Sequence, residues 1–248
     1  MSVPPLQSTA TLPAASAPAP IAAPPAAAPA APLLALAIPG SVRLRYEVTG
    51  SSRGQNWKLL RGELLWRHDG SDYEATFVSP TPLLPSRSQR STGRITPQGL
   101  EPSRFSDKGR GEQATHFERE SGTLVFSSNA PQLPLLDGVQ DRLSVLLQVA
   151  SMVAADPGRF APGTEIEIVT AGTRDAEPWT FTVEGEEMLA LPGGDMATRK
   201  LVRLPRREYD LRVELWLGTA VDYVPLRIRL TQANGDYVDQ QWSSTDRP

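Results

Sequence analysis

The stretch Val213-Glu-Leu-Trp-Leu-Gly-Thr-Ala-Val-Asp-Tyr-Val-Pro-Leu-Arg-Ile-Arg-Leu-Thr-Gln-Ala-Asn-Gly-Asp236 contains two runs of alternating apolar and polar residues. The first run, extended back by two residues, places on one face Leu211, Val213, Leu215 and Leu217. The second run places on one face Val224, Leu226, Ile228 and Leu230. A period of two is typical of strands that are buried on one side. The stretch therefore predicts two antiparallel strands joined in a hairpin.

Two registers keep the apolar faces of this hairpin matched. The favoured register pairs Leu217 with Val224, which sets Glu214 opposite Arg227 and Trp216 opposite Pro225. The alternative sets Trp216 opposite Tyr223 and Arg212 opposite Arg227. Opposite charges across a ladder gain roughly 0.2 to 1 kcal/mol, whereas like charges repel, so the first register is preferred.

The Asn-Gly turn after the second run contains a conflict. A regular two-residue turn would pair Leu230 with Asp239 and place a carboxylate on the apolar face. A bulge instead pairs Leu230 with Val238 and Arg229 with Asp239. Because a slip of one residue moves every side chain to the other face, the sequence predicts a bulge near residues 234–235.

The same alternation recurs along the chain from Val42 onward, in short runs separated by turn signals such as Asp69-Gly70 and Gly193-Gly194. Many short strands at hairpin spacing favour an antiparallel sheet over layered α/β folds. The predicted fold class is mainly β, with a single antiparallel sheet that is strongly curved or forms an open barrel.

One segment, residues 137–156, breaks the alternation. It carries apolar residues at helical spacing, namely Val139, Leu143, Leu146, Ala150 and Val153. Asp137 and Gln140 resemble a capping box, and Asp156 with the following Pro-Gly stops the pattern. Further apolar residues widen the stripe, so we expect one helix at about 139–153 that is buried on more than one side by the sheet.

The first part of the chain has a different composition. No charged residue occurs in residues 1–42, and ten of the 24 prolines lie between Met1 and Pro39. Dense proline removes backbone donors and disfavours helix. The sequence therefore predicts a disordered Pro/Ala-rich tether over residues 1–41 and a single β domain over residues 42–248.

Charge and composition exclude several classes of protein. A net charge of −3 and a pI near 5.5 argue against a nucleic-acid binder. The absence of cysteine excludes disulfides and thiol nucleophiles. No apolar run reaches the roughly 20 residues that span a bilayer, so we expect no transmembrane segment. The N-terminus shows no signal-peptide pattern either, which leaves a cytoplasmic location open.

No catalytic motif is present in the sequence. It contains neither a Gly-x-Ser-x-Gly elbow nor a phosphate loop nor a dinucleotide fingerprint. The two histidines, His68 and His116, are far apart in sequence and fall in a predicted turn and a polar strand. We therefore expect a protein that is not an enzyme and that needs no metal and no cofactor.

Two sets of residues are candidate binding sites. The basic segment 86–110 predicts an anion-facing patch formed by Arg87, Arg90, Arg94 and Arg104, with a charge-compensated surface as the alternative interpretation. A curved sheet is also able to enclose an apolar cavity. The candidate contacts for an apolar or lipid-like ligand are Leu143, Leu147, Trp179, Trp216 and Tyr223.

The order of these features resembles the bacterial DUF3108 family over about residues 42–243. The residues that carry the resemblance are Val42-Arg-Leu-Arg-Tyr-Glu-Val48, Asp141-Arg-Leu-Ser-Val-Leu146, Val213-Glu-Leu-Trp-Leu, Tyr223-Val-Pro-Leu-Arg-Ile-Arg229 and Asn234-Gly-Asp236. Members of this family look exported, which implies a periplasmic or cell-envelope location, and their function is unknown. By analogy of fold alone, the half-barrel of periplasmic lipoprotein carriers is similar.

These observations lead to two hypotheses of different class. The preferred one is a non-enzymatic bacterial envelope protein whose concave side binds an apolar small molecule or lipid. The alternative is an interaction or scaffold module that reaches an envelope protein partner through the Pro/Ala tether and the basic segment 86–110.

Overall fold

The computed structural model describes residues 36–81 and 84–248, which form fifteen strands and one helix. The strands are β1 (Val42–Ser52), β2 (Gln55–His68), β3 (Asp72–Thr81), β4 (Leu84–Thr96), β5 (Gly99–Lys108), β6 (Glu112–Glu118), β7 (Thr123–Phe126), β8 (Leu133–Pro134), β9 (Gln140–Asp141), β10 (Glu165–Ala171), β11 (Ala176–Leu191), β12 (Gly194–Arg203), β13 (Arg212–Gly218), β14 (Pro225–Thr231) and β15 (Tyr237–Asp246). The helix α1 (Ser144–Ala155) lies between β9 and β10. The tether that the sequence predicts to be disordered has two parts. Residues 1–35 lie outside the described residues, and residues 36–41 are described.

All fifteen strands belong to one sheet with the order β8-β7-β6-β5-β4-β3-β2-β1-β15-β14-β13-β12-β11-β10-β9. Neighbours are antiparallel except for β9 and β10, which are parallel. Strands β2 to β8 form a meander on one side of β1. On the other side, β15 pairs with β1, strands β10 to β15 form a second meander, and β9 lies at its outer edge. The predicted fold class, a single curved antiparallel sheet with one helix, is confirmed.

The sheet curls until its two edges approach each other, although they do not pair into a closed barrel. Edge strands β8 and β9 are joined by only five residues, so their near ends lie at most about 21 Å apart. Hydrogen bonds cross between the two meanders: Thr115 Oγ1 donates to Gly172 O (2.6 Å) and Ser128 Oγ donates to Thr173 O (2.8 Å). The result is a trough with a concave interior.

The core fills the concave face. Buried side chains from both meanders meet there, including Leu44, Phe105, Phe181, Leu215 and Ile228. Residues 144–153 of α1 are all buried as well, since the helix lies inside the curl. Gln148 of the helix accepts a hydrogen bond from Leu100 N (2.9 Å), which fixes α1 near the β4–β5 turn. The helix therefore occupies one end of the trough.

The helix begins later than predicted. It starts at Ser144 rather than near residue 139, because residues 140–141 pair with β10 as a strand. Asp141, not Asp137, accepts the first free backbone donors, from Leu143 N and Ser144 N at 2.8 Å each. The predicted Asp137 cap is therefore wrong, and that residue is exposed.

The predicted register of the β13–β14 hairpin is also wrong. Trp216 lies opposite Arg227, Glu214 lies opposite Arg229, and an irregularity follows that brings Leu217 opposite Pro225. The cause is the connection at residues 218–224, which closes on itself with a hydrogen bond from Gly218 N to Val224 O (3.0 Å). The ladder therefore begins with Leu217 opposite Pro225, one residue later on β14 than predicted. The irregularity adds a second residue, so that Trp216 lies opposite Arg227 instead of Pro225.

The next turn agrees with its prediction. Leu230 pairs with Val238 and Arg229 pairs with Asp239, as the bulge argument requires. The chain leaves the ladder over residues 232–236, where Gln232 N donates to Asp236 O (2.8 Å) instead of forming a two-residue turn. Keeping the apolar faces matched therefore outweighs the local preference of Asn-Gly for a tight turn.

Residues 36–41 contact the domain although the prediction assigns them to the tether. Leu36 and Ile38 pack against the core. The carbonyl oxygen of Pro39 accepts a hydrogen bond from Trp66 Nε1 (2.9 Å), and the indole of Trp66 has no exposed surface. The packed part of the chain therefore begins at least six residues before Val42.

Candidate functional site

The concave cavity is a space of about 800 Å³ at the end of the trough away from α1. Six neighbouring strands, β4-β3-β2-β1-β15-β14, contribute to its wall. The β1–β2 turn, the β14–β15 turn and the strand residues beside the β3–β4 turn surround its mouth. Because α1 fills only the opposite end, the curl of the sheet leaves this end unfilled by side chains. Its volume lies in the range typical of small-molecule sites.

Most of the surface of this cavity is apolar, although eleven of the seventeen residues that line it are polar or charged. Its apolar and aromatic members are Trp57, Phe77, Leu211, Leu230, Tyr237 and Val238. Phe77, Leu230 and Val238 face inward because alternate residues of each strand point to the concave side. The ring of Tyr237, the neighbour of Val238, instead stacks with Arg229, whose Cζ lies 4.2 Å from the ring centre. An apolar ligand that enters this space removes its own surface and that of these side chains from water, at about 25 cal/mol per Å².

The amide of Gln240 is unusual in the wall. The residue lines the cavity, has no exposed surface, and shares its face with Val48 and Ile228. Neither its Nε2 nor its Oε1 has a hydrogen-bond partner among residues 36–81 and 84–248. An unmet buried polar group costs about 1–3 kcal/mol, so this amide lowers the free energy of unfolding as long as it has no partner.

Gly62 makes room for that amide. A Cβ atom at this position would lie 3.2 Å from Gln240 Oε1 and 3.0 Å from Val48 Cγ2, so a larger residue would press on both. A second unpartnered donor belongs to Trp57, whose Nε1 is buried without a partner in the described part of the chain. Its ring lies over Gly50, where a Cβ would be only 2.1 Å from the indole.

Charged groups of the cavity lie at its mouth. Arg53 belongs to the β1–β2 turn, Asp236 to the β14–β15 turn, and Arg87 to β4 near its start. Arg53 N donates to Asp236 Oδ1 (2.9 Å), and this bond links two of the turns. The side chain of Arg87 pairs with Asp107. The cavity thus combines an apolar wall with a polar, charged mouth.

A smaller space, the side cleft of about 370 Å³, lies beside the loop that joins β12 to β13. Trp179 lines it, and the guanidinium of Arg203 stacks on that ring with its Cζ 4.5 Å from the ring centre. Arg203 has 1% of its surface exposed and binds Asp210 (2.8 Å) and Glu177 (3.6 Å). Leu211 lines both the side cleft and the concave cavity.

The structure does not bring the five predicted ligand contacts together. Leu143 and Leu147 are buried in the core around α1. Trp179 lines the side cleft, and Tyr223 lies in the β13–β14 turn with a positive φ of 54°. None of the five residues lines the concave cavity, so their role in ligand binding stays a prediction.

Trp216 lies on the outer face of the sheet. Its neighbours in the ladders are Lys200 and Arg227, and both cations lie over its ring, at 5.2 Å and 4.5 Å from the ring centre. Its indole N–H donates to Glu187 Oε1 (2.5 Å). These contacts cover the ring so that 4% of the residue is exposed. These contacts explain why a tryptophan stands among charged residues, and the explanation requires no ligand.

Each arginine of the predicted anion-facing patch has a carboxylate partner. The pairs are Arg87 with Asp107, Arg90 with Glu74, Arg94 with Glu101, and Arg104 with Glu112, at 2.5 to 3.4 Å. All four partners stand on neighbouring strands, and two of them, Glu74 and Glu112, lie outside the basic segment 86–110. The charges are therefore largely compensated, and the patch stays a prediction with little free positive charge to support it.

A buried polar network stands between the helix and the sheet. Asp141 has no exposed surface, and its Oδ2 accepts a hydrogen bond from Ser91 Oγ (2.5 Å). Tyr73 extends the network through its hydroxyl, which lies 3.1 Å from Ser91 Oγ. Burial raises the pKa of Asp141 to about 6, and burial also raises the pKa of Tyr73 well above its ordinary value. The network ties β3, β4 and β9 to the start of α1.

Sequence reasoning missed Gln240, Trp57 and Phe77 as wall residues. One signal was available: Gln240 falls at an inward position of β15, in the register that the bulge argument predicts. A polar residue at an inward position contradicts the alternating pattern, and such exceptions are typical of functional sites. The closeness of β4 to β15 around the cavity had no such signal, because it depends on how the whole sheet curls.

The described residues contain neither a helix that could cross a membrane nor a cluster that could hold a metal ion. Among residues 36–81 and 84–248, the helix is too short to cross a membrane. In the same residues, no group of three or more histidine, aspartate or glutamate side chains stands close enough together to hold a metal ion.

Comparison with protein families gives one match over most of the chain. The family described as protein of unknown function (DUF3108) matches residues 66–240. No curated protein matches the sequence.

Comparison with solved structures shows a likeness at the level of the fold to a protein of uncharacterised family. It is a beta-barrel-like protein of domain of unknown function DUF1849 from Brucella abortus, with a TM-score of 0.55, 12% identity, and coverage of 86% of this chain and 100% of that chain. Two others share less. A putative outer membrane lipoprotein-sorting protein domain from Vibrio parahaemolyticus has a TM-score of 0.28, 11% identity and coverage of 84% and 85%. A putative lipoprotein from Parabacteroides distasonis has a TM-score of 0.28, 8% identity and coverage of 86% and 99%.

Proposed function

The chain belongs to the DUF3108 family, and from that premise we propose that it is a non-enzymatic envelope protein that binds an apolar, lipid-like small molecule in the concave cavity. The observation that carries this proposal is the cavity of about 800 Å³ with an apolar wall and a polar mouth. An apolar chain gains free energy from contact with the apolar part of the wall.

The size of the cavity supports a ligand of this class. A well-packed domain leaves few voids larger than a water molecule, since every unfilled space forfeits packing contacts. The described residues nevertheless leave this large space inside a continuous sheet. A wall that is kept apolar and unfilled is what a carrier or sensor of apolar molecules requires.

The envelope location rests on the family resemblance, because members of DUF3108 look exported. It is tested by fractionating the cells that produce the protein naturally, followed by detection with an antibody. Recovery in the periplasmic or membrane fraction supports this part of the proposal. Recovery in the cytoplasm alone removes it and leaves ligand binding as a separate question.

Binding is tested with the fluorescent apolar probe N-phenylnaphthylamine and a variant that fills the cavity. Val238 lines the cavity, so Val238→Trp should fill part of it and weaken probe binding by about tenfold or more. The matched control is Val221→Trp, because Val221 lies in the β13–β14 turn with 38% of its surface exposed. Probe binding that is absent, or that responds equally to both variants, contradicts the proposal.

The alternative function, an interaction module acting through the tether and the basic segment 86–110, has less support. Arg87 and Arg104 are each held by a carboxylate at 2.5 Å, so a partner would have to displace an existing ion pair. Exposed ion pairs are worth only about 0–1 kcal/mol, so such displacement is feasible but gains little.

A further inference from the structure

The concave cavity contains a feature that a purely apolar ligand does not explain. Gln240 presents both a donor and an acceptor, and both lack partners within residues 36–81 and 84–248. A hydrocarbon bound above this amide would leave both groups unmet, at about 1–3 kcal/mol each. A leucine or methionine at the same position would avoid that cost and pack as well.

The surroundings of Gln240 restrict what could satisfy it. Its neighbours on the inner face are Val48 and Ile228, which offer no polar side-chain atom. The charged groups of the described wall, Arg53, Arg87 and Asp236, lie near the mouth, so no counter-ion stands beside the amide. Burial of an unpaired ion costs far more than burial of a neutral polar group. The missing partner is therefore uncharged.

The amide must turn to meet a ligand, since no part of Gln240 is exposed in the structure. Its side chain has several rotatable bonds, and its present position beside Gly62 gains no hydrogen bond that rotation would lose. Turning toward the cavity therefore breaks no hydrogen bond. Trp57 Nε1, which is also buried without a described partner, adds a second donor on the same wall.

We propose that the cavity selects an apolar chain carrying an uncharged head group that both donates and accepts hydrogen bonds, as a carboxamide does, and that Gln240 pairs with this head. This inference rests on the proposed function, because it names the ligand class of the same cavity. The head enters first and pairs with the amide, while the chain packs against Phe77, Leu230 and Val238.

The experiment compares octanamide, methyl octanoate and octanoate by isothermal titration calorimetry on the full chain at neutral pH. The three ligands share the apolar chain and differ in the head, which is a neutral donor and acceptor, an acceptor only, or an anion. We expect octanamide to bind about tenfold more tightly than the other two. Gln240→Met should abolish the preference for octanamide over methyl octanoate.

The control variant is Gln241→Met, because Gln241 lies on the outer face, where its Nε2 donates to Asp239 (3.3 Å). It should keep the preference for octanamide. Equal affinity of the wild-type chain for all three ligands, or a preference that survives Gln240→Met, overturns the inference and leaves the proposed function standing. Failure of all three ligands to bind overturns both.

Discussion

At the scale of single residues, Asp141 is a carboxyl group that loses all contact with water on folding. Burial raises its pKa from 3.8 to about 6, despite hydrogen bonds from Ser91, Leu143 and Ser144 that favour the ionised form. Between these two pH values the folded chain holds a proton that the unfolded chain has released. Rising pH therefore lowers the free energy of unfolding across this window.

Asp141→Asn should remove this dependence on pH. The asparagine carbonyl still accepts from the helix N–H groups but does not ionise. We expect the free energy of unfolding of the wild type to fall by roughly 3 kcal/mol relative to the variant as pH rises through the window. Urea unfolding of both chains, from about pH 4 to about pH 7, measures this difference. Parallel curves for the two chains would show that the carboxyl is not the cause.

Gln240→Met should stabilise the ligand-free protein. The substitution keeps the volume of the side chain and removes two buried polar atoms that have no partner in the described residues. We expect the free energy of unfolding to rise by about 1–2 kcal/mol, while Gln241→Met on the outer face changes it by less than about 0.5 kcal/mol. Urea titration without ligand measures both, and destabilisation by Gln240→Met would indicate that the amide is satisfied in solution.

At the scale of elements, the sequence predicted what depends on periodicity and missed what depends on turns. The pairs Leu230–Val238 and Arg229–Asp239 of the β14–β15 hairpin followed from matching apolar faces alone. The β13–β14 register did not follow, because the turn at residues 218–224 moves the start of pairing by one residue and the irregularity beside Trp216 moves it by a second. Pairs that involve only strands are thus more predictable than pairs that begin at a long turn.

The same reasoning applies to the helix and to the site. The apolar spacing of α1 revealed that a helix exists, but it begins at Ser144, and Asp141 rather than Asp137 accepts its first free N–H groups, because residues 140–141 form β9. For the site, the sequence indicated a concave apolar surface, whereas the residues that line the cavity come from strands far apart in sequence. Their meeting depends on the curl of the whole sheet, which no local pattern encodes.

The outer face of the β13–β14 hairpin provides a prediction about Trp216. Its ring is held between Lys200 and Arg227 and its N–H binds Glu187. Trp216→Ala should lower the free energy of unfolding by about 3 kcal/mol, because it removes a nearly buried ring and two cation–π contacts. Trp216→Phe should lose less, since it keeps a ring between the cations. Urea unfolding measures both.

A ligand-binding role for Trp216 would give a different result. If the residue only stabilises the hairpin, Trp216→Phe leaves the affinity for N-phenylnaphthylamine unchanged. A clear loss of probe affinity in this variant, with stability largely kept, would restore Trp216 to the binding site and place a ligand on the outer face.

At the scale of the whole molecule, the curl of the sheet has two ends that the chain treats differently. The end with the β4–β5 turn is filled by α1 and covered by residues 36–41, whereas the other end holds the concave cavity. Ala37 N donates to Ser151 O (3.0 Å) in the helix, and Pro39 O accepts from Trp66 Nε1 (2.9 Å). Residues 36–41 therefore join the helix to the sheet across the filled end.

Removal of residues 36–41 should weaken the entire fold. A chain that begins at residue 42 leaves the indole N–H of Trp66 without its partner and exposes the core beneath Leu36 and Ile38. Relative to a chain that begins at residue 36, we expect the free energy of unfolding to fall by about 2–4 kcal/mol. Trp66→Phe in both chains separates the two causes, because it removes the donor and keeps most of the ring. If the hydrogen bond to Pro39 contributes, the substitution costs about 1 kcal/mol more in the longer chain than in the shorter one. Equal unfolding midpoints for the two chain lengths would instead show that the contacts of residues 36–41 are too weak to join the helix to the sheet.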